Sequence, residues 1–194
     1  MLGAIKYQFS HLFDFTGRDA RQTFWFWILF VVIVNIVVSL AVSVPMMANA
    51  VSVGIASAQG TGQGPDEAAI MQSMSGAVGN IVLVSLVLAL VNIVLVAAAF
   101  VRRLHDSNKS AVWAVVAGAL YILSHWLGYL RSGDVVELMQ RAASAADPQA
   151  ALASNSAMAW DGLIGWIPVI MLVVFGVMNS DPGPNKYGDE PVRF

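Results

Sequence analysis

The chain has 194 residues, is 58% hydrophobic and only 11% charged, and contains no cysteine. Usage this apolar lies outside that of soluble globular domains and is that of a polytopic membrane protein, with one membrane domain taking up residues 1–194. A formal net charge of -2 with small scattered basic groups excludes a nucleic-acid-binding stripe, the lack of cysteine excludes disulfides and thiolate chemistry, and three histidines at no ligand spacing point to no metal or other cofactor.

At the N-terminus Leu2, Ile5, Phe9, Leu12 and Phe13 fall near helical spacing, with Lys6, Gln8 and His11 elsewhere. This pattern predicts a short helix lying in the plane of a membrane interface. Gly17 then allows a turn, and Arg18 and Arg21 sit three apart on the expected first turn of the next helix. A first span is predicted over residues 24–44, with Phe24, Trp25 and Trp27 as an interfacial aromatic belt and Pro45 at its end. Ala48-Asn49-Ala50 has the small-x-small form of a signal cleavage site. The apolar run before it is about 20 residues, too long for a signal core, and residues 1–23 precede that run, so it reads as the outer end of a span. Residues 45–80 carry no Lys or Arg and are expected outside, with Pro65-Asp66-Glu67 resembling a helix start.

A second span is predicted over 81–101, followed by the densest charge in the chain, Arg102-Arg103-Leu104-His105-Asp106-Ser107-Asn108-Lys109. Charge of that density between two membrane-length runs reads as a short cytoplasmic turn. Ser110 is the expected N-cap of a third span over 111–130, whose far end carries His125, Trp126 and Tyr129. Residues 131–159 form a second external segment, in which Val135, Val136, Met139, Ala142, Ala143 and Ala146 share a face opposite Asp134, Glu137 and Arg141. A fourth span over 160–178 contains Gly162, Gly165 and Pro168, the proline implying a kink packed against neighbours. The tail, 179–194, is too rich in Pro and Gly to be helical. The expected fold is therefore all-α, with four transmembrane helices and both termini cytoplasmic. That layout puts eight of the ten basic residues on the cytoplasmic side and leaves Arg131 and Arg141 outside.

Three islands now share the cytoplasmic face: Gly17-Arg18-x-x-Arg21 with Phe24-Trp25, Arg102-Arg103-Leu104-His105-Asp106, and Pro182-Gly183-x-Asn185-Lys186-Tyr187-Gly188 with Pro191. In that order they resemble the signature of the domain-of-unknown-function 805 family of small bacterial inner-membrane proteins. The resemblance takes in the cytoplasmic face, the first two spans and the closing span, and sets segments 45–80 and 131–159 apart as additions. It implies a multi-pass protein of the bacterial inner membrane and no particular activity.

His105 beside Asp106 has the makings of acid–base chemistry and paired arginines can clamp phosphate, but no Ser, Cys or second carboxylate stands at a catalytic spacing. The expectation is that the chain is not an enzyme. Arg18, Arg21, Arg102, Arg103, His105, Asp106, Lys109 and Asn185 are the candidate site, as either a structural cap or a pocket for an anionic lipid headgroup or small phosphate-bearing ligand. The leading expectation is a non-catalytic accessory, scaffold or assembly partner in the lipid bilayer, working with another membrane protein or a second copy. Two finer expectations follow. Asn35 and Asn92 lie at matching depths and should hydrogen-bond, and Asp106 should accept from Arg18 or Arg21 in a partly solvated pair beneath the 181–191 tail.

Overall fold

The computed structural model describes residues 1–60, 67–144 and 156–191. The described chain is all-helical: α1 (Leu2–Ser10), α2 (Arg21–Gly60), α3 (Glu67–Asp106), α4 (Val112–Leu130), α5 (Ser132–Ser144) and α6 (Ser156–Val177). The remaining tail is irregular, with one isolated bridge between Asn185 and Gly188. Among the described residues α2, α3 and α4 are long and apolar enough to cross a membrane. α6 contributes a shorter apolar stretch, Leu163–Val177.

The helices differ from expectation at their ends. α2 runs straight through Pro45, which was expected to stop it. A proline removes one helical hydrogen bond and crowds the carbonyl one turn earlier, but Pro45 is exposed, where that carbonyl can tilt outward without losing packing. Pro168 also lies within a continuous helix, α6, where it is buried. Of the Pro65-Asp66-Glu67 start, only Glu67 lies within the described residues, as the first residue of α3.

The larger correction concerns the charged cluster. Arg102 to Asp106 belong to the last turns of α3, and the connecting turn begins only at Ser107. The end of α3 is closed by two reverse hydrogen bonds, Asn108 N–H to His105 O at 3.0 Å and Lys109 N–H to Leu104 O at 2.8 Å. Asn108 has φ 55, the left-handed conformation that such a helix stop requires and that Asn tolerates. Keeping the arginines helical fixes their directions, so that successive side chains point to different neighbours. At the start of α4, Ser110 Oγ accepts from Val112 N–H at 3.3 Å, although the N-cap position itself is Ala111.

The core sits at this same end of the bundle. Phe24, Trp27, Val31, Ala99, Phe100, Leu104 and Ala117 are buried together, with Met171, Leu172 and Phe175 of α6 against them. Phe24 and Trp27, read as an interfacial belt, are thus wholly inside, and Trp27 Nε1 donates to Leu95 O at 2.9 Å. Along the outer faces of α2, α3, α4 and α6 large apolar side chains stay exposed, as a surface facing lipid demands. The short N-terminal helix is present, with Ala4 and Gln8 buried and Phe9 edge-on to Trp27 at 5.0 Å. α5 packs against α3 with Asp134, Glu137 and Arg141 exposed, while of the expected stripe the side chains of Met139, Ala142 and Ala143, and Ala146 altogether, lie outside the described residues.

Asn35 and Asn92 meet as expected. Asn35 Nδ2 donates to Asn92 Oδ1 at 2.8 Å, and Asn92 Nδ2 returns a bond to Asn35 Oδ1 at 3.0 Å and reaches Tyr121 OH at 3.3 Å. The pair joins α2, α3 and α4 where apolar packing alone sets no register. Asn92→Leu is expected to lower stability in detergent by about 0.6 to 2 kcal/mol, because Asn35 keeps a bond to its own helix at Val31 O. The measurement is thermal unfolding, and an unchanged midpoint would show that the pair carries no stability.

Candidate functional site

The site is built where the chain before α2, the end of α3, the end of α6 and the tail come together. Asp14 opens it, its Oδ1 accepting from Thr16 N–H at 2.9 Å and Thr16 Oγ1 at 2.6 Å, bonds that hold its carboxyl below the usual range. Past Gly17 the chain runs without regular structure against α3, with Asp19 N–H donating to Arg102 O at 3.1 Å. Arg18 therefore precedes α2 instead of riding on its first turn, and its side chain points under the tail.

Arg18 is buried and its donors are taken up within the chain. Nε and Nη2 reach Asp106 Oδ1 at 3.2 and 3.0 Å, Nη1 reaches Gly183 O at 2.6 Å, and Nη2 reaches Asp181 O at 2.6 Å. The second oxygen of Asp106 accepts from Arg103 Nη1 and from Ser180 Oγ, and its main-chain oxygen accepts from Asp181 N–H at 2.7 Å. One residue thus ties three chain segments, the stretch before α2, the end of α3 and the tail. Gly183 has φ 71, a conformation that a side chain would strain, and this turn presents its carbonyl to Arg18.

Arg102 and Arg103 point to opposite sides. Arg102 donates to His11 O, Asp14 O and Gln8 Oε1 and lies 3.1 Å from Asp19 Oδ1 through Nε. Gln8 Nε2 in turn donates to Asp19 Oδ2 at 2.6 Å, so α1 is stitched to the cluster. Burial pushes the Asp19 carboxyl above its usual range even against the pull of Arg102. Burial, with Asp19 next in effect, likewise raises the Tyr7 hydroxyl, whose ring lies 5.8 Å from Arg102 Cζ.

Arg103 donates to Gly176 O at 3.1 Å, near the end of α6, and to Met178 O just past it. Three buried arginines face two buried carboxylates, Asp19 and Asp106. The excess charge sits where the negative end of the α6 dipole and its unbonded carbonyls can take it. Gly176 is required by the approach, since a Cβ there would lie 2.8 Å from Trp25 Cζ2 and 2.9 Å from Phe24 Cε1.

The remaining expected residues divide. His105 donates from Nδ1 to Gly17 O at 3.2 Å, and Tyr187 stacks on its ring at 3.8 Å. It makes no bond to Asp106, whose oxygens are already engaged. Asn185 Nδ2 donates to His105 O at 3.0 Å. Arg21 and Lys109 are exposed, and Arg21 does not reach Asp106 but donates to Asn179 Oδ1 at 3.4 Å. The Asp106 pair, expected to be partly solvated, is buried, because the tail closes over it. Sequence reading missed Gln8, Asp19, Ser180 and Asp181. Asp19, a carboxylate beside Arg18, was the one with a visible signal, whereas the carbonyl acceptors have none. A groove of about 420 Å³ opens along one side of the cluster, lined by Arg18, Arg21, Asn179, Ser180, Asp181 and Glu190 among others.

A family model described as "Protein of unknown function (DUF805)" matches residues 12–189, which takes in the cluster from Asp14 to Gly188 and leaves out Gln8 and His11. The chain belongs to the DUF805 family. The DUF805 match runs on through segments 45–80 and 131–159, which the islands alone had set apart. No curated protein and no solved structure matches the chain.

Asp106→Ala would leave Arg18 and Arg103 buried without their carboxylate, and is expected to cost about 3 to 5 kcal/mol. Combining Asp106→Arg with Arg18→Asp is expected to recover only part of the loss, since Arg103 would then face a second cation. Additive damage in the double variant, read by thermal unfolding, would refute the pairing. Gly176→Ala is expected to lower stability by about 1 to 3 kcal/mol through overpacking against Trp25 and Phe24, checked in the same assay.

Proposed function

We propose that this DUF805 protein is a multi-pass protein of the bacterial inner membrane that works as a non-catalytic accessory, scaffold or assembly partner for another membrane protein. One observation carries the reading. Arg18, Arg102 and Arg103, the groups best suited to chemistry or ligand capture, are each 5% exposed or less and donate to acceptors of their own chain. The cluster then serves to hold the bundle, and the long exposed helix faces are left to meet partners.

The proposed topology has four spans in a single membrane domain, α6 being the fourth, with both termini cytoplasmic. It is supported by Lys6 of α1, Lys109 of the α3–α4 turn and Lys186 of the tail at the clasped end, against Arg131 and Arg141 beyond the far end of α4. Alkaline phosphatase fused after Gly60 or Ser144 is expected to be active, and green fluorescent protein fused to the C-terminus to fluoresce. The reverse pattern would overturn the topology.

A second reading, binding of an anionic lipid headgroup or small phosphate-bearing ligand at the cytoplasmic face, is favoured by the exposed Arg21 in its groove. The two are separated by purification from cross-linked native membranes. The accessory reading expects a different membrane protein at fixed stoichiometry, unchanged in Arg21→Ala. Recovery of phospholipid alone, lost in Arg21→Ala, would replace it with the second reading.

A further inference from the structure

α2 carries two apolar seams on opposite sides. The inner one, Phe24, Trp27, Val31 and Asn35, meets the rest of the bundle. The outer one is Ile33, Val37, Leu40, Val44, Met47 and Val51, each between 46% and 68% exposed. Its steps alternate four and three residues throughout, the 3.5-residue repeat of a coiled-coil seam, within a wider exposed apolar face that also carries Leu29, Val32 and Ile36. Helical geometry is continuous through Pro45, so the seam is unbroken.

Lipid covers only part of it. Counting from Phe24 at about 1.5 Å per residue, a hydrocarbon layer of about 30 Å ends near Val44. Met47, Val51 and Ile55, exposed by 68%, 60% and 53%, continue up to about 16 Å beyond that level, where bare apolar surface faces water.

We propose that this outer seam of α2 is the interface with a second copy of the same chain, forming a parallel two-stranded coiled coil that begins in the membrane and continues outside it. Three features of α2 select this occupant. β-Branched Val37, Val44 and Val51 hold one heptad position and Ile33, Leu40 and Met47 the other, close to the distribution that favours parallel pairs. Copies inserted in the same direction bring each residue opposite its counterpart, and no charged residue occurs from Gln22 to Pro65 to repel its own image. Pairing would also bury on the order of 1,000 Å² in all, the area a specific interface needs. The proposal deepens the accessory reading by giving the protein a defined assembly, and it rests on α2 alone, not on the arginine cluster.

The chain has no cysteine, so single cysteines report directly. Val44→Cys, Met47→Cys and Val51→Cys are compared in native membranes under mild oxidation with Asn49→Cys and Ser52→Cys, exposed positions off the seam. Disulfide geometry demands close Cβ atoms, so the seam positions are expected to give about tenfold more dimer than the others. Adding Met47→Lys and Val51→Lys to the Val44→Cys variant is expected to abolish its dimer while leaving thermal unfolding unchanged, because both side chains face away from the core. Equal cross-linking at all five positions, none at the seam, or a dimer that survives the lysines would overturn the proposal. Cross-linking of the seam to a different polypeptide would also overturn it, while leaving the accessory reading standing.

Discussion

Asp106 holds the protein together at the end where its helices meet. Its two carboxylate oxygens take Arg18 from the chain before α2, Arg103 from its own helix and Ser180 from the tail, and its main-chain oxygen takes Asp181. The chain before α2 and the tail are short and irregular, with little packing surface of their own to hold them against α3. A buried carboxylate is costly to desolvate, and two guanidinium groups with a hydroxyl are the compensation that makes its burial tolerable. The tail depends on this arrangement most, because it has no regular structure of its own and is fixed by carbonyls given to Arg18 and by the Tyr187 stack on His105.

Arg102 and Arg103 show how one helical turn divides labour. Adjacent residues on a helix point about 100° apart, so one arginine gathers α1 and the Asp14–Asp19 loop and the other gathers α6. Had the charged cluster been a loop, as its composition implied, the directions would not have been set. The arginines also answer a problem peculiar to helix ends, where the last carbonyls have no partner in the helix. Arg103 supplies donors to Gly176 and Met178, and the lack of a side chain at Gly176 lets Trp25 reach the same carbonyl.

Away from this clasp the bundle relies on different physics. Between apolar helices in lipid there is little hydrophobic drive to choose one register over another, so the Asn35–Asn92 pair and the Tyr121 hydroxyl supply direction. The outer faces are left mostly apolar, and on α2 the exposed apolar side chains continue as far as Ile55. The clasped end is thus polar and densely hydrogen-bonded, and the helix faces away from it are mostly apolar.

The sequence by itself determined the all-helical class, the positions of the apolar runs, the short first helix, the irregular tail and the membership of the family, because hydrophobic length, helical spacing and Pro/Gly density are properties of the chain alone. It also placed Asn35 opposite Asn92, since depth in a helix is a matter of counting. Helix ends were less legible: Pro45 reads as a stop, yet it continues when its exposed side has room to bend. Which arginine would meet Asp106 was beyond the sequence too, because Arg18 and Arg21 lie at the same depth and only the path after Gly17 turns Arg18 inward and leaves Arg21 outside. Gln8, Asp19 and the carbonyls of Gly176, Met178, Asp181 and Gly183 entered the site only through tertiary structure. A backbone carbonyl is the same group at every residue, so nothing but the fold decides which of them faces an arginine.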